Sequence, residues 1–291
     1  PGSSAYNSVF FDGEKYRLYY RACAQKTAKE KGDLSTAQYT CLALSDDGIH
    51  WEKPELGLVE FEGSTKNNIL LSGIMSHNFS PFLDTNPACA PEARYKAVAG
   101  HISTGLVAYQ SADGIHWSKM QEEPIIRDGA LDSQNLCFYD PNIDGYQCYS
   151  RYFARPIDWE SEPQDGEFSV PDTLDDLGVG IRAIQNTCSK DFLHWQPLRA
   201  NCYQHHIPLE HFYTNATFLC PGAEQLYISM PMRFMYDRHK VASCPFPGVS
   251  DGVFMTSRDG VRFDRTFLEG WLRPELDERC WTQRNYITAW G

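Results

Sequence analysis

The sequence predicts an all-β protein, a five-bladed β-propeller of antiparallel sheets, with residues 1–291 forming one domain. Three observations carry that expectation. Helical periodicity is nearly absent along the chain. A seven-residue signature recurs four times at near-constant spacing, which marks a repeat architecture. Each copy follows short alternating or apolar runs punctuated by Gly, Asp or Pro, the pattern of small antiparallel sheets; set radially, such sheets leave only short, protected edges.

The signature reads Ser45-Asp-Asp-Gly-Ile-His-Trp51, Ser111-Ala-Asp-Gly-Ile-His-Trp117, Ser189-Lys-Asp-Phe-Leu-His-Trp195 and Ser257-Arg-Asp-Gly-Val-Arg-Phe263. Its serines are 66, 78 and 68 residues apart. Ser and Asp side chains accept hydrogen bonds from turn amides, Gly supplies a positive φ, and the final aromatic anchors the chain between neighbouring sheets. These residues read as staples of the blades, with Trp51, Trp117, Trp195 and Phe263 expected to be buried between them.

The strands follow in order. Val9–Tyr20 holds a hairpin turn at Asp12-Gly13, and Arg94–Ala99 is an apolar run. Leu136–Tyr139 and Tyr146–Tyr149 flank a second hairpin turn at Asp144-Gly145. Ala216–Leu219 pairs with Gln225–Ser229. Arg284–Trp290 reads as a strand opening a fifth unit that is incomplete, to be closed by the N-terminal segment unless the sequence is a fragment. Residues 158–176 and 235–250 read as long loops of the kind that wall a pocket at the propeller axis.

Composition excludes several classes. Lys and Arg total 26 against 38 Asp and Glu, a net charge of −12, and the basic residues are scattered, so a nucleic-acid backbone is not an expected partner. No apolar run approaches the ~20 residues of a membrane-spanning helix, and membrane insertion is not expected. No charged segment leading into an apolar core opens the chain, so a signal peptide has been removed or never existed. Ten cysteines contain no C-x-x-C pair, which excludes metal-finger spacing. Cys41, Cys137 and Cys148 lie in apolar strands as small buried hydrophobes, while a few disulfides in a secreted form stay open. Two glycosylation sequons, at Asn78 and Asn215, decide little. The compartment is left open, with secretion or the periplasm favoured over the cytoplasm.

In a propeller the innermost strand of each blade brings its leading residues to one end of the central channel. The polar groups at those places are Asn7, the run from His77 to Asp84, Asp132 to Asn135, Glu210 to Asn215, and Gln283 to Tyr286. A purely structural channel would not need so many amide and acid groups there. Three arginines, Arg151, Arg233 and Arg284, are expected on inner strands of different blades, where a buried guanidinium pairs with a carboxylate.

At these residues the chain resembles the five-bladed propeller glycoside hydrolases of families 32 and 43. The segments SPFLDTNP (80–87), ARYKAVAG (93–100), LDSQNLCFYD (131–140), LEHFYTNATF (209–218), MTSRDG (255–260) and FLEGWLRP (267–274) are similar to an uncharacterised bacterial family 32-like group. The resemblance spans nearly the whole chain. It implies a glycosidase with a carbohydrate substrate and three acids: a nucleophile or base, a central Asp, and a Glu as general acid. Asp132 matches the central Asp and Glu210 the general acid. The family's first-blade acid has no counterpart, since Tyr6-Asn7-Ser8 stands there; Asp84 is taken in its place.

The expected catalytic set is therefore Asp132, Glu210 and Asp84. The expected substrate-binding set is Asn78, Asn135, Arg151, His211, Tyr213, Asn215, Arg233, Arg284 and Asn285, with Tyr213, Trp271 and Trp281 suited to stacking on sugar rings. No cofactor is required, although a structural calcium is compatible with the fold. His77, His205, His206 and His211 lack a ligand pattern for catalytic zinc. Three alternatives remain: a carbohydrate-binding propeller without catalysis; a sialidase-like enzyme that clamps an anionic sugar with arginines; and a phosphorylase using Arg238, His239 and Lys240.

Overall fold

A computed structural model of the chain describes residues 5–24, 38–155, 168–169, 180–204, 207–240, 242, 248–275, 277 and 284–291. The first sheet takes β1 (Ala5–Phe11), β2 (Tyr16–Cys23), β3 (Gln38–Ser45) and β4 (Ile69–Ser72) in chain order. The second takes β5 (Ser80–Leu83), β6 (Tyr95–His101), β7 (Gly105–Ser111) and β8 (Ser118–Lys119) in the same way. Next come β9 (Leu136–Asp140), β10 (Gly145–Ala154), β11 (Phe168–Ser169), β12 (Ile181–Ser189) and β13 (Arg199–Ala200). Of these, β13-β12-β10-β9 is the third sheet.

The rest of the chain adds β14 (Cys202–Gln204), β15 (His211–Phe212), β16 (Thr217–Cys220), β17 (Ala223–Ser229), β18 (Met232–Met235), β19 (Val249–Gly252), β20 (Met255–Ser257) and β21 (Arg262–Asp264). A six-stranded sheet runs β11-β14-β21-β20-β17-β16, its only parallel pair being β14 with β21, and a three-stranded sheet runs β15-β18-β19. Five sheets thus fit five blades. Two compact units divide the chain: Pro1–Gln147 with Ser189–Trp195 and Ala289–Gly291, and Cys148–Cys188 with Gln196–Thr288.

The four signatures occupy one structural position. Each serine ends the third strand of its sheet: Ser45 on β3, Ser111 on β7, Ser189 on β12 and Ser257 on β20. In the first copy Ser45 Oγ accepts the Gly48 amide at 2.8 Å, while Asp47 Oδ1 accepts the Ile49 and His50 amides, both at 2.8 Å. The other three repeat these bonds to within about 0.2 Å, and the fourth turn position has φ of 74° at Gly48, 72° at Gly114 and 72° at Gly260. The third copy places Phe192 there at φ 70°, a left-handed conformation that costs a non-glycine residue about 1–2 kcal/mol. Phe192 is fully buried against Phe82, Tyr146 and Trp195, and this packing outweighs the strain.

The signature aromatics are less buried than expected. Phe263 is fully buried, but Trp51, Trp117 and Trp195 are half-buried. The reason is polar for two of them: Trp117 Nε1 donates to Gly114 O at 3.2 Å and Trp195 Nε1 to Phe192 O at 3.0 Å, so each indole stays beside its own turn. In the first unit Trp117 still meets Tyr19 and Phe79 edge-on, joining the core clusters of the first two sheets.

Two further expectations change. Arg284–Trp290 is not a strand; only Trp290 joins a ladder, accepting from the Val9 amide at 2.7 Å and donating to Asn7 O at 2.9 Å. Asn78 and Asn215 are 1% and 2% exposed, so neither sequon is open to glycosylation in the folded chain. The segment 158–176, like His205, His206 and Trp281, lies almost wholly outside the described residues. Among the described residues no helix is long and apolar enough to cross a membrane.

Candidate functional site

In the first unit, Asp132 sits on a turn ahead of β9, partly exposed. That turn is pinned from several sides. Asn78 Nδ2 donates to Leu131 O and Ser133 O, both at 2.7 Å, and Asn135 Nδ2 donates to the same two carbonyls at 2.9 Å. His77 Nε2 donates to Asp132 O at 2.8 Å. Burial and the nearby Arg21 guanidinium hold His77 below its ordinary value; its Nδ1 lies 2.8 Å from Gln38 Oε1 and 3.3 Å from Arg21 Nη1. Asn78 and Asn135, expected to touch substrate, are buried, and the Nδ2 group of each is donated to the turn that carries Asp132.

Asp84 has the surroundings of a structural carboxylate. Its side chain is fully buried and ion-paired with Lys96, itself 5% exposed. Tyr146 OH donates to Asp84 Oδ2 at 2.8 Å and the Asn86 amide to Oδ1 at 2.9 Å. Water and sugar have no access to a carboxylate so enclosed, and the expected nucleophile-or-base role does not fit it.

The second unit carries Glu210, immediately before β15, with its side chain 23% exposed. Arg233 Nη1 donates to Glu210 Oε1 at 2.8 Å, and Arg265 Nη2 donates to Oε2 at 2.5 Å. The pairing of arginine with a candidate acid that the sequence predicted is therefore present at Arg233. Antiparallel register places Arg233 on β18 opposite both Phe212 on β15 and Asp251 on β19. From there its Nε and Nη2 reach Asp251 at 2.9 and 2.7 Å, a bidentate pair, while Nη1 also reaches Leu268 O at 2.7 Å. One guanidinium thus ties two carboxylates and a loop together. Each oxygen of Glu210 accepts a guanidinium N–H and keeps a further lone pair for a ligand.

Beside this network lies a cavity of about 390 Å³ lined by Arg233, Asp251, Arg238, Lys240, Glu269 and Arg273 among others. Gly270 on its wall is so close to Asp251 Oδ2 that any side chain there would collide with it. Asp251 and Arg265 were not singled out in the sequence.

The remaining expected contacts divide. Tyr213 lies under two guanidiniums, Arg151 at 5.0 Å and Arg182 at 5.7 Å from its ring centre, so its face is engaged by protein cations rather than open for a sugar. His211 Nδ1 accepts from the Arg182 amide and lies 3.3 Å from its Nη1; burial, then that cation, lowers its proton affinity. Asn215 donates to Tyr149 O at 3.3 Å from a buried position, a structural bond. Asn285 Oδ1 accepts from Ser250 Oγ at 2.6 Å, and Arg284, with φ of 74° outside any strand, donates to Gly248 O at 2.6 Å. Arg151 lies on β10, between β9 and β12 in the third sheet, and Arg233 on β18, between β15 and β19. Trp271 is 65% exposed, free to stack. Among the described residues, no group of three or more His, Cys, Asp or Glu side chains could hold a metal ion.

No protein-family model matches the sequence, and no characterised protein matches it in sequence. Solved structures do match its fold. One, described as a glycoside hydrolase, superposes with a TM-score of 0.54 at 13% identity, covering 94% of this chain and 77% of that one. Another, an N-acetylgalactosamine deacetylase from F. plautii in complex with blood group B trisaccharide, gives 0.53 at 15% identity, covering 94% and 71%. At these identities the likeness establishes the fold, a β-propeller of the type found in glycoside hydrolases.

Proposed function

We propose that the chain is a glycosidase that cleaves a glycosidic bond in an oligo- or polysaccharide, with Glu210 as the carboxylate that meets the substrate and Asp132 as the second acid. The observation that supports this most is the Glu210 cluster. A partly exposed carboxylate is fixed by Arg233 and Arg265, and Arg233 also lines a cavity large enough for a sugar residue. The sequence assigned Glu210 to proton donation, but a general acid presents a hydrogen on one of its oxygens. Here both oxygens accept from guanidiniums, an arrangement suited to a base or nucleophile.

The test is a panel of aryl glycosides and polysaccharides, with and without phosphate, read for wild type, Glu210→Gln and Asp132→Asn. A base or nucleophile variant loses activity on every substrate, at least a hundredfold. An acid variant retains activity on aryl glycosides whose leaving group departs without a proton. Loss confined to poor leaving groups at Glu210 would return it to the acid role, and wild-type turnover by both variants would remove the glycosidase reading.

One observation favours a second reading. Every nitrogen of Arg233 is already engaged by Asp251, Glu210 or Leu268, so the cluster is complete without a ligand, as a binding propeller without catalysis would have it. Saturable sugar binding with no turnover across the panel would establish that alternative.

A further inference from the structure

We propose that the cavity beside Arg233 binds the carboxylate of a sugar acid, so that the substrate carries a uronate or similar acidic residue; this rests on the glycosidase reading above and narrows its substrate class. The charges that line the cavity fall into paired and unpaired groups. Arg233 is neutralised by Asp251 and Glu210, as just described. Arg273 donates to Glu269 at 2.6 Å. Two cations are left. Arg238 donates from Nη1 only to the weakly accepting sulfur of Met235 at 3.2 Å, and Lys240 has no carboxylate within ion-pair reach among the described residues.

In a chain of net charge −12, the wall of this one concave site carries four cations and two carboxylates. Exposed cations on a flat surface are ordinary. On the wall of a cavity they act together on one bound anion, and the low-dielectric walls strengthen that field. Trp271, adjacent in sequence to the lining residue Gly270, packs on Phe254 yet is 65% exposed; an aromatic of this kind stacks on sugar rings, which favours a sugar acid over a free inorganic anion.

The experiment measures binding rather than turnover, using calorimetry on the whole chain. The probes are glucuronate, galacturonate, the matching neutral sugars and inorganic phosphate, each at low and high salt. A uronate should bind at least tenfold more tightly than its neutral sugar, and salt should weaken it. The double variant Arg238→Gln/Lys240→Gln should abolish that preference, while Lys66→Gln, a surface change remote in sequence, should leave it. Equal binding of neutral and acidic sugars, or a preference that survives the double variant, overturns the proposal. Phosphate binding as tightly as the uronates, with loss of both in the double variant, also overturns it in favour of an inorganic-anion site. Uronate binding without any hydrolysis would sink the glycosidase reading and leave this site standing; hydrolysis of neutral glycosides alone would do the reverse.

Discussion

Arg265, only 1% exposed, holds Glu210 through a 2.5 Å hydrogen bond from Nη2 to Oε2 and lays its guanidinium over Phe212, 5.0 Å from the ring centre. The bond is made from inside the protein, so the carboxylate is oriented from beneath while its outer side stays open to solvent. Arg265→Met keeps an apolar stem over Phe212 and removes that bond. Urea melts should show a loss of about 1–3 kcal/mol, below the figure for a fully buried pair because Glu210 is partly exposed. On a confirmed substrate kcat should fall about tenfold or more with the folded fraction unchanged. Unaltered kcat would make Arg265 structural only.

Asp84 and Lys96 give a contrasting prediction. Lys96→Met strands a buried carboxylate and should destabilise the fold by about 3–5 kcal/mol. Replacing both with apolar residues should recover most of that loss. If Asp84 is structural, Asp84→Asn should retain near wild-type turnover per folded molecule at a temperature below its melt; a hundredfold loss there would restore its catalytic assignment.

The same turn position is governed by different forces in two copies of the signature. At Gly114 an added Cβ would meet Tyr19 Oη at 2.6 Å and Arg17 Nη1 at 2.7 Å, so Gly114→Ala combines a clash with left-handed strain and should cost several kcal/mol. At Phe192 the reverse change, Phe192→Gly, relieves strain worth about 1–2 kcal/mol but empties a site surrounded by aromatic rings, worth about 3–5. Thermal denaturation should show both variants destabilised. A more stable Phe192→Gly would mean the strain outweighs the packing.

Stability should depend on pH in two windows. His77 in the fold binds its proton less tightly than in the unfolded chain, because burial and then Arg21 disfavour the imidazolium. The unfolded chain therefore takes up more protons just below ~6.5, so this contribution is complete above that pH and is lost as pH falls. His77→Gln should flatten the change in melting temperature between neutral and mildly acidic pH; an identical slope would remove His77 from the account. At lower pH, Asp47 is held below the usual carboxylate range, first by the His50 ring. Asp113 and Asp191 are lowered as well, although burial alone would raise them, because bonds from His116 and His194 outweigh it. Their contribution is present above ~4 and fades as pH drops further. Asp113→Asn should shallow that acid limb in melts followed by circular dichroism.

How much of this the sequence revealed depends on the type of signal. The signatures repeat local side-chain-to-amide chemistry, so Ser45, Ser111, Ser189 and Ser257 take equivalent positions in four consecutive sheets, as their spacing predicts, while the third strands that end on them had gone unread. The pairing of Arg233 with Glu210 followed from the general need of a buried guanidinium for a counter-charge. Asp251 and Arg265 stayed hidden for a different reason. Strand β19 follows a segment without alternation, read as loop through residue 250, so its register against β18 had no mark in the sequence. Asn78, Asn135 and Asn215 show a further limit: an amide that pins a turn and one that binds sugar are the same residue type. Arg284–Trp290 has the composition of a strand but pairs only at Trp290.

The bonds joining Val9 and Trp290 set an order on how the molecule forms. They close a loop of some 280 residues, and contacts of that separation slow folding. During synthesis the outer backbone groups of β1 must wait for some 280 further residues before Trp290 arrives. Until then it is an exposed strand edge, open to pairing with another nascent chain. The latch that completes the first sheet therefore also ends the interval in which a growing copy exposes that edge.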